Sequence, residues 1–180
     1  MEQFWRHGYA ASSMEDVVQA TGATRHTIYL EFGGKEQLFE HCLIAYRTLV
    51  VTPAFARVEN GDERIRDIAG YFEHQIRRAG NVGLLGPGCL MANTMTEVAP
   101  HSARAAELVH EHLERLRVSF ERALSRPRPG KAGKWLQIQS QAHSLAVFAN
   151  GLWSVSRITK DPAQLRRSVG AMLHAIERDI

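Results

Sequence analysis

Apolar residues recur at intervals of three and four along nearly the whole chain, and no segment keeps the period of two that a half-buried strand needs. The pattern predicts an all-α protein. Glycine and proline set the boundaries: Gly8 ends a first helical piece, Gly22 sits in a tight turn, and Gly33 with Gly34 forms another. A longer helix is expected from Lys35 to Val51, closed near Pro53 because an interior proline breaks the hydrogen-bond ladder. Asn60-Gly61-Asp62 precedes a helix whose apolar face is Ile65, Ile68, Ala69, Phe72 and Ile76, with Gly80 as its stop. A loop is expected over 80–88, then a short helix from Cys89 to Ala99 ended before Pro100. Ser102 can cap the next helix, faced by Val109, Leu113, Leu116, Phe120 and Leu124. The basic, proline-rich run Arg126–Lys131 reads as a connector. Two helices close the chain, over Lys134–Arg157 and Pro162–Asp179, the second capped by Asp161 with proline at its first position.

The most informative stretch runs from Ser12 to Phe32. Ser13 can cap a helix, and Asp16 three residues on makes an acidic variant of the capping box. Gly22 permits a left-handed turn, and Thr24 can cap a second short helix whose inner face is Ile28 and Phe32. Two short helices joined by a tight glycine turn form a helix-turn-helix, whose second helix enters the major groove led by its N-terminal residues. Here those residues are Thr24, Arg25, His26 and Thr27. Arginine can fork onto a guanine edge, and a threonine methyl can touch thymine. Tyr29 offers a hydroxyl to phosphate, and Lys35 adds a cation at the start of the next helix. The competing reading is a plain helical hairpin with a solvated arginine and histidine.

The whole string is more specific than its caps and turns. Phe4, His7-Gly8-Tyr9-Ala10, Ser13-Met14, Gly22-Ala23-Thr24, Thr27-Ile28-Tyr29 and Phe32-Gly33-Gly34-Lys35-Glu36-Gln37-Leu38-Phe39 resemble the N-terminal domain of the TetR/AcrR family of transcriptional regulators. The resemblance covers about the first 40 residues and is weak beyond it, except at Cys89-Leu90-Met91-Ala92-Asn93-Thr94. It implies a three-helix DNA-binding domain at 1–40 and a helical effector-binding and dimerisation domain at 41–180. Carried over by position, Thr24 to Thr27 lie in the groove, Tyr29 and Lys35 contact phosphates, and Ser13 and Met14 lie where the second helix meets the backbone. Two departures stand out. The family's first helix begins several residues before the position of Met1, often with a basic arm, so a truncated first helix is expected here. Glu31 stands where many members have His or Tyr.

Charge qualifies the picture. The net charge is +3, yet residues 1–50 hold four basic and six acidic side chains, so bulk charge does not nominate that segment for nucleic acid. A 44% hydrophobic and 23% charged composition is that of a soluble globular protein. No stretch approaches the roughly 20 apolar residues of a membrane span, no secretory signal is visible at the start, and two cysteines make no disulfide framework. A cytoplasmic protein is expected. Cys89, after Gly86-Pro87-Gly88, is read as a packed hydrophobe in preference to a sensor thiol of lowered pKa.

The second half carries no catalytic signature. There is no G-x-S-x-G, P-loop or dinucleotide fingerprint, His110-Glu111-His112 lacks zincin spacing, and Glu107 with His110 is a single Glu-x-x-His. No enzyme, metal or cofactor is implied. The series Trp135, Ile138, Ala142, Leu145, Ala149, Leu152 and Leu165, Val169, Met172, Leu173, Ile176 have bundle spacing. Because the family pairs its last two helices with their copies, these faces are expected to form a homodimer interface, giving two recognition helices for a palindromic operator. An unidentified small-molecule effector is expected among the middle helices, with Phe72, Met91, Asn93, Met95, Phe120 and Trp153 as lining candidates. The resulting expectation is a repressor released from double-stranded DNA by an effector. The alternative is a helical ligand-binding or sequestering protein without effective DNA binding.

Overall fold

A computed structural model describes residues 1–81, 86–127 and 135–179. The chain runs α1 (Glu2–His7), α2 (Met14–Thr21), α3 (Arg25–Phe32), α4 (Lys35–Tyr46), a π-helical turn (Arg47–Val51), α5 (Thr52–Asn60), α6 (Ile65–Asn81), α7 (Leu90–Glu97), α8 (Ala103–Ser125), α9 (Trp135–Val155) and α10 (Pro162–Asp179). Among the described residues there is no strand, and no helix is long and apolar enough to cross a membrane. Parts of the expected 80–88 loop and 126–131 connector lie outside the described residues.

The expected break at Pro53 does not occur: the rod that starts at Lys35 continues to Asn60. Its π turn explains why. The Thr52 N–H reaches back five residues to the Arg47 carbonyl, and the Thr52 hydroxyl donates to the same oxygen at 3.0 Å. A regular helix would ask Pro53 for an N–H it lacks and would press its ring on the preceding turn. Widening that turn takes up the misfit without ending the helix.

Side chains from α4, α5, α6, α8 and α9 close around one aromatic cluster. Phe55 and Tyr71 stand edge to face with centroids 4.5 Å apart, Phe72 stacks on Phe120 at 6.3 Å, and the Trp153 indole donates to the Tyr71 hydroxyl at 3.2 Å. Beside it, Asp67 is 1% exposed and closes the α5–α6 corner. It accepts from Arg57 Nε at 2.9 Å, Arg126 at 3.0 Å and the Glu63 N–H at 2.8 Å. Arg126 also donates to the Val58 carbonyl, so the end of α8 is tied to α5.

The faces expected to pair two copies are mostly used inside one chain. Ile138, Ala142, Leu145, Ala149 and Leu152 on α9 are buried, as are Leu165, Val169, Leu173 and Ile176 on α10; Trp135 is exposed. The amphipathic stripe of each helix packs on its own core first.

On α8 the pattern places Leu113 on the inner face, whereas His112 takes the buried place and Leu113 is half-buried. Burial, with Arg115 and Arg47 nearby, pushes the His112 imidazole down to about 4. Folding therefore holds it neutral, while the unfolded chain takes up a proton below the ordinary value near 6.5. Stability rises with pH across this window. His112→Phe should flatten urea-unfolding free energies between pH 6.5 and 4, removing a decline of about 3 kcal/mol.

Candidate nucleic-acid interface

Helices α2 and α3 owe their positions to local caps and a few buried residues. Ser13 and Asp16 form the reciprocal box: the Ser13 hydroxyl accepts from the Asp16 N–H at 3.1 Å, and Asp16 accepts from the Ser13 N–H at 2.7 Å. The Ser13 hydroxyl also donates to the Asp16 carboxylate at 2.7 Å, and that bond, with the one from the Ser13 N–H, holds the carboxyl below its usual range. Gly22, at φ 69°, makes the left-handed turn that ends α2, its N–H bonded to the Val18 carbonyl. Thr24 caps α3 by accepting from the Thr27 N–H at 3.1 Å. Val17 and Ile28, 3% and 4% exposed, pin α2 and α3 to the core.

With Ile28 inward, Thr24, Arg25, His26 and Thr27 all project into solvent. Their readiness to meet a base differs. The Thr24 and Thr27 hydroxyls bond each other at 2.9 Å, leaving their methyl groups for contact. Arg25 is occupied: its guanidinium donates to Glu15 at 2.7 Å and lies 5.8 Å from the Tyr29 ring centroid. The Tyr29 contact and the Glu15 charge both strengthen the guanidinium's hold on its proton. Both partners of this ion pair are more than half exposed, so water screens it and a phosphate or guanine can displace it. Lys35 rests its ammonium 4.3 Å over the Tyr9 ring. Ser13 is exposed with its hydroxyl in the capping box, whereas the Met14 side chain is buried, so any backbone contact there falls to its main chain. Leu30, 76% exposed, is an apolar group on α3 that the sequence reading passed over.

Contacts from the second half hold this unit in place. The Trp5 indole donates to the Gly88 carbonyl at 3.0 Å and meets the Tyr46 ring edge to face at 4.9 Å. Glu97, the last residue of α7, accepts from the Tyr9 and Ala10 N–H groups at 3.2 and 2.8 Å. Gly8 makes that approach possible: at φ 89°, a β-carbon there would meet a Glu97 carboxylate oxygen at 3.0 Å.

Among the described residues, the six expected to line a ligand pocket are divided between the packed core and the edge of a cavity. Phe72, Phe120 and Trp153 belong to the aromatic cluster, Met91 is fully buried, Asn93 donates to the Pro87 carbonyl, and Met95 is half-buried. Of the six, only Trp153 borders the cavity of about 120 Å³ that opens between α1, the π turn, α6 and the 86–89 segment. Cys89 borders it too, and burial pushes its thiol up, away from the lowered pKa of a reactive cysteine.

The family model described as "Bacterial regulatory proteins, tetR family" matches residues 1–42, the span that holds α1 to α3 and the start of α4. Over 107 residues, 59% of this chain, the sequence is 35% identical to the HTH-type transcriptional repressor ComR of Escherichia coli (strain K12). The match to the TetR family lies in this N-terminal span. The alignment spans about half of ComR, 50% of its length. A second relative, the HTH-type transcriptional regulator YezE of Bacillus subtilis (strain 168), is 24% identical across 98% of this chain and 92% of its own length. Two solved structures share the TetR fold at TM-score 0.80 and 18% identity. One is the regulator CifR, as a cysteine mutant with 26-bp operator DNA, covering 96% of this chain and 90% of its own. The other, from Cytophaga hutchinsonii, covers 98% of this chain and 88% of its own. Glu15 is the unexpected member of the candidate interface, because it faces Arg25 across the turn and no spacing rule relates the two positions. Glu15→Gln should raise affinity for duplex DNA of any sequence several-fold in a low-salt fluorescence anisotropy titration, by removing a competing carboxylate from the α3 surface.

Proposed function

We propose that the protein is a cytoplasmic transcriptional repressor that binds operator DNA as a homodimer and is released by a small-molecule effector. The observation that carries this reading is the exposed N-terminal face of α3, with Thr24, Arg25, His26 and Thr27 held outward by the buried Ile28 inside the span that matches the TetR family. ComR bears the name of a repressor, and the CifR structure contains operator DNA, which supports carrying both properties over. The 1–40 unit reads DNA and the 41–180 unit binds effector and partner. An effector acts only by binding one separation of the two recognition helices better than the other. The rod through α4 and the Glu97 and Trp5 contacts supply the connection.

Dimerisation is assigned to the outward faces of the last two helices, since their inward faces are occupied. Leu136, Val147, Val155 and Ile158 are 80%, 58%, 46% and 78% exposed along one side of α9 and its end. Gly151 and Gly170 have nothing within 4 Å of the β-carbon position. A solvent-facing glycine inside a helix costs about 1 kcal/mol relative to alanine, which a closely approaching partner helix can offset. Val147→Glu should shift sedimentation at micromolar concentration from about 40 kDa toward the 20.2 kDa monomer without lowering the melting temperature. Leu173→Glu should instead destabilise the chain itself.

A gel shift with DNA flanking the protein's own gene tests the main reading. Arg25→Ala should cost about 1–3 kcal/mol and relax preference at one base pair per half-site. Lys35→Ala should weaken all sequences alike and lower the salt slope by roughly one per subunit. Equal, sequence-independent losses for both variants would overturn the groove assignment, and no shift with any flanking DNA would favour the sequestering protein.

A further inference from the structure

The cavity between α1, the π turn and α6 has a chemistry that neither the DNA-reading surface nor the aromatic core uses. Trp5, Val50 and Trp153 supply its apolar walls. Two residues on neighbouring turns of α6 supply the polarity. Gln75 Oε1 is buried with no hydrogen-bond partner among the described residues, an acceptor whose desolvation they leave uncompensated. Arg78 holds its guanidinium 5.9 Å from the Trp5 ring centroid and forms no ion pair among the described residues. The carboxylate in the wall, Glu2, is already bound to Arg6 at 2.8 Å. Other donors are committed: the Trp5 indole to Gly88, the Trp153 indole to Tyr71, and the Ser156 hydroxyl to the Trp153 carbonyl at 2.7 Å.

A ligand that completes this site brings a compact apolar body, a donor for Gln75 and a negative charge for Arg78. The space of about 120 Å³ is close to the roughly 150 Å³ cavity that holds benzene, so the body is a single ring. We propose that this cavity binds a small hydroxylated aromatic carboxylate, with its ring between the tryptophans, its hydroxyl donating to Gln75 and its carboxylate on Arg78. The site names the effector class for the regulatory reading above, and its part in DNA release rests on that reading, while the binding itself does not. Trp5 links the two, because the same α1 that walls the cavity packs Phe4 against Phe39 beneath the helix-turn-helix.

The test is a titration of the full chain with 4-hydroxybenzoate, benzoate and phenol, followed by calorimetry and by tryptophan emission from Trp5 and Trp153. 4-Hydroxybenzoate should bind once per chain, and benzoate and phenol, each lacking one polar contact, about tenfold more weakly. Arg78→Met should weaken both carboxylates about tenfold and leave phenol unchanged. Gln75→Leu should weaken 4-hydroxybenzoate and phenol and leave benzoate unchanged. A misfolded variant would lose all three probes together, which is distinguishable from either selective pattern. No binding of 4-hydroxybenzoate at millimolar concentration, or equal binding by wild type and both variants, would overturn the proposal. A chain that shifts operator DNA but ignores the probes overturns this site alone. A chain that binds the probes selectively but shifts no DNA upholds the site and overturns the regulatory reading.

Discussion

A helix of six residues has too few internal hydrogen bonds to persist in water, so α1 exists because of what it touches. Phe4 lies edge to face against Phe39 at 5.3 Å, Trp5 meets Tyr46, and the turn after α1 gives two backbone N–H groups to Glu97. This seam is the constraint on which the rest depends. α2 packs on α1 and α3 on both α2 and α4, so the direction in which α3 points is inherited from α1 and α4. The seam is also where the second half of the chain, through Gly88 and Glu97, takes hold of the first.

The proposed DNA-facing surface contrasts with that seam. Almost nothing is buried on α3 apart from Ile28, and its polar groups bond one another or Glu15 across an exposed gap. Such contacts are weak in water and exchange readily for phosphate and base edges. On the proposed reading, the acidic balance of the first 50 residues limits sequence-independent attraction and leaves groove contacts a larger share of the affinity.

The last two helices show how one sequence stripe can mislead about an interface. α9 has apolar residues on its inner face and also on its outer one, where Leu136, Val147 and Val155 stand exposed. A helix that is apolar around much of its circumference is built to be covered on more than one side. Which side belongs to the core is decided by α8 and the aromatic cluster.

Much of the fold was legible because its signals are local. The Ser13–Asp16 box, the Gly22 turn, the Thr24 cap and the Asp161-Pro162 start each act within three or four residues, and each stands where the spacing puts it. The helix-turn-helix and its outward Thr24 to Thr27 follow from those local bonds and one apolar residue. Other features join positions that no spacing connects. Glu15 meets Arg25 across a turn, Glu97 caps the turn after α1, and His112 rather than Leu113 faces inward because of how α8 rolls on its neighbours. Pro53 reads as a helix end, yet the π turn before it carries the rod through, since packing on both sides repays the local misfit. The cavity likewise collects Trp5, Gln75, Arg78 and Trp153 from three distant helices. Short-range hydrogen bonds and periodicity thus determined the elements from sequence alone, while the faces that meet, the charges that pair and the space left between them were decided by long-range packing.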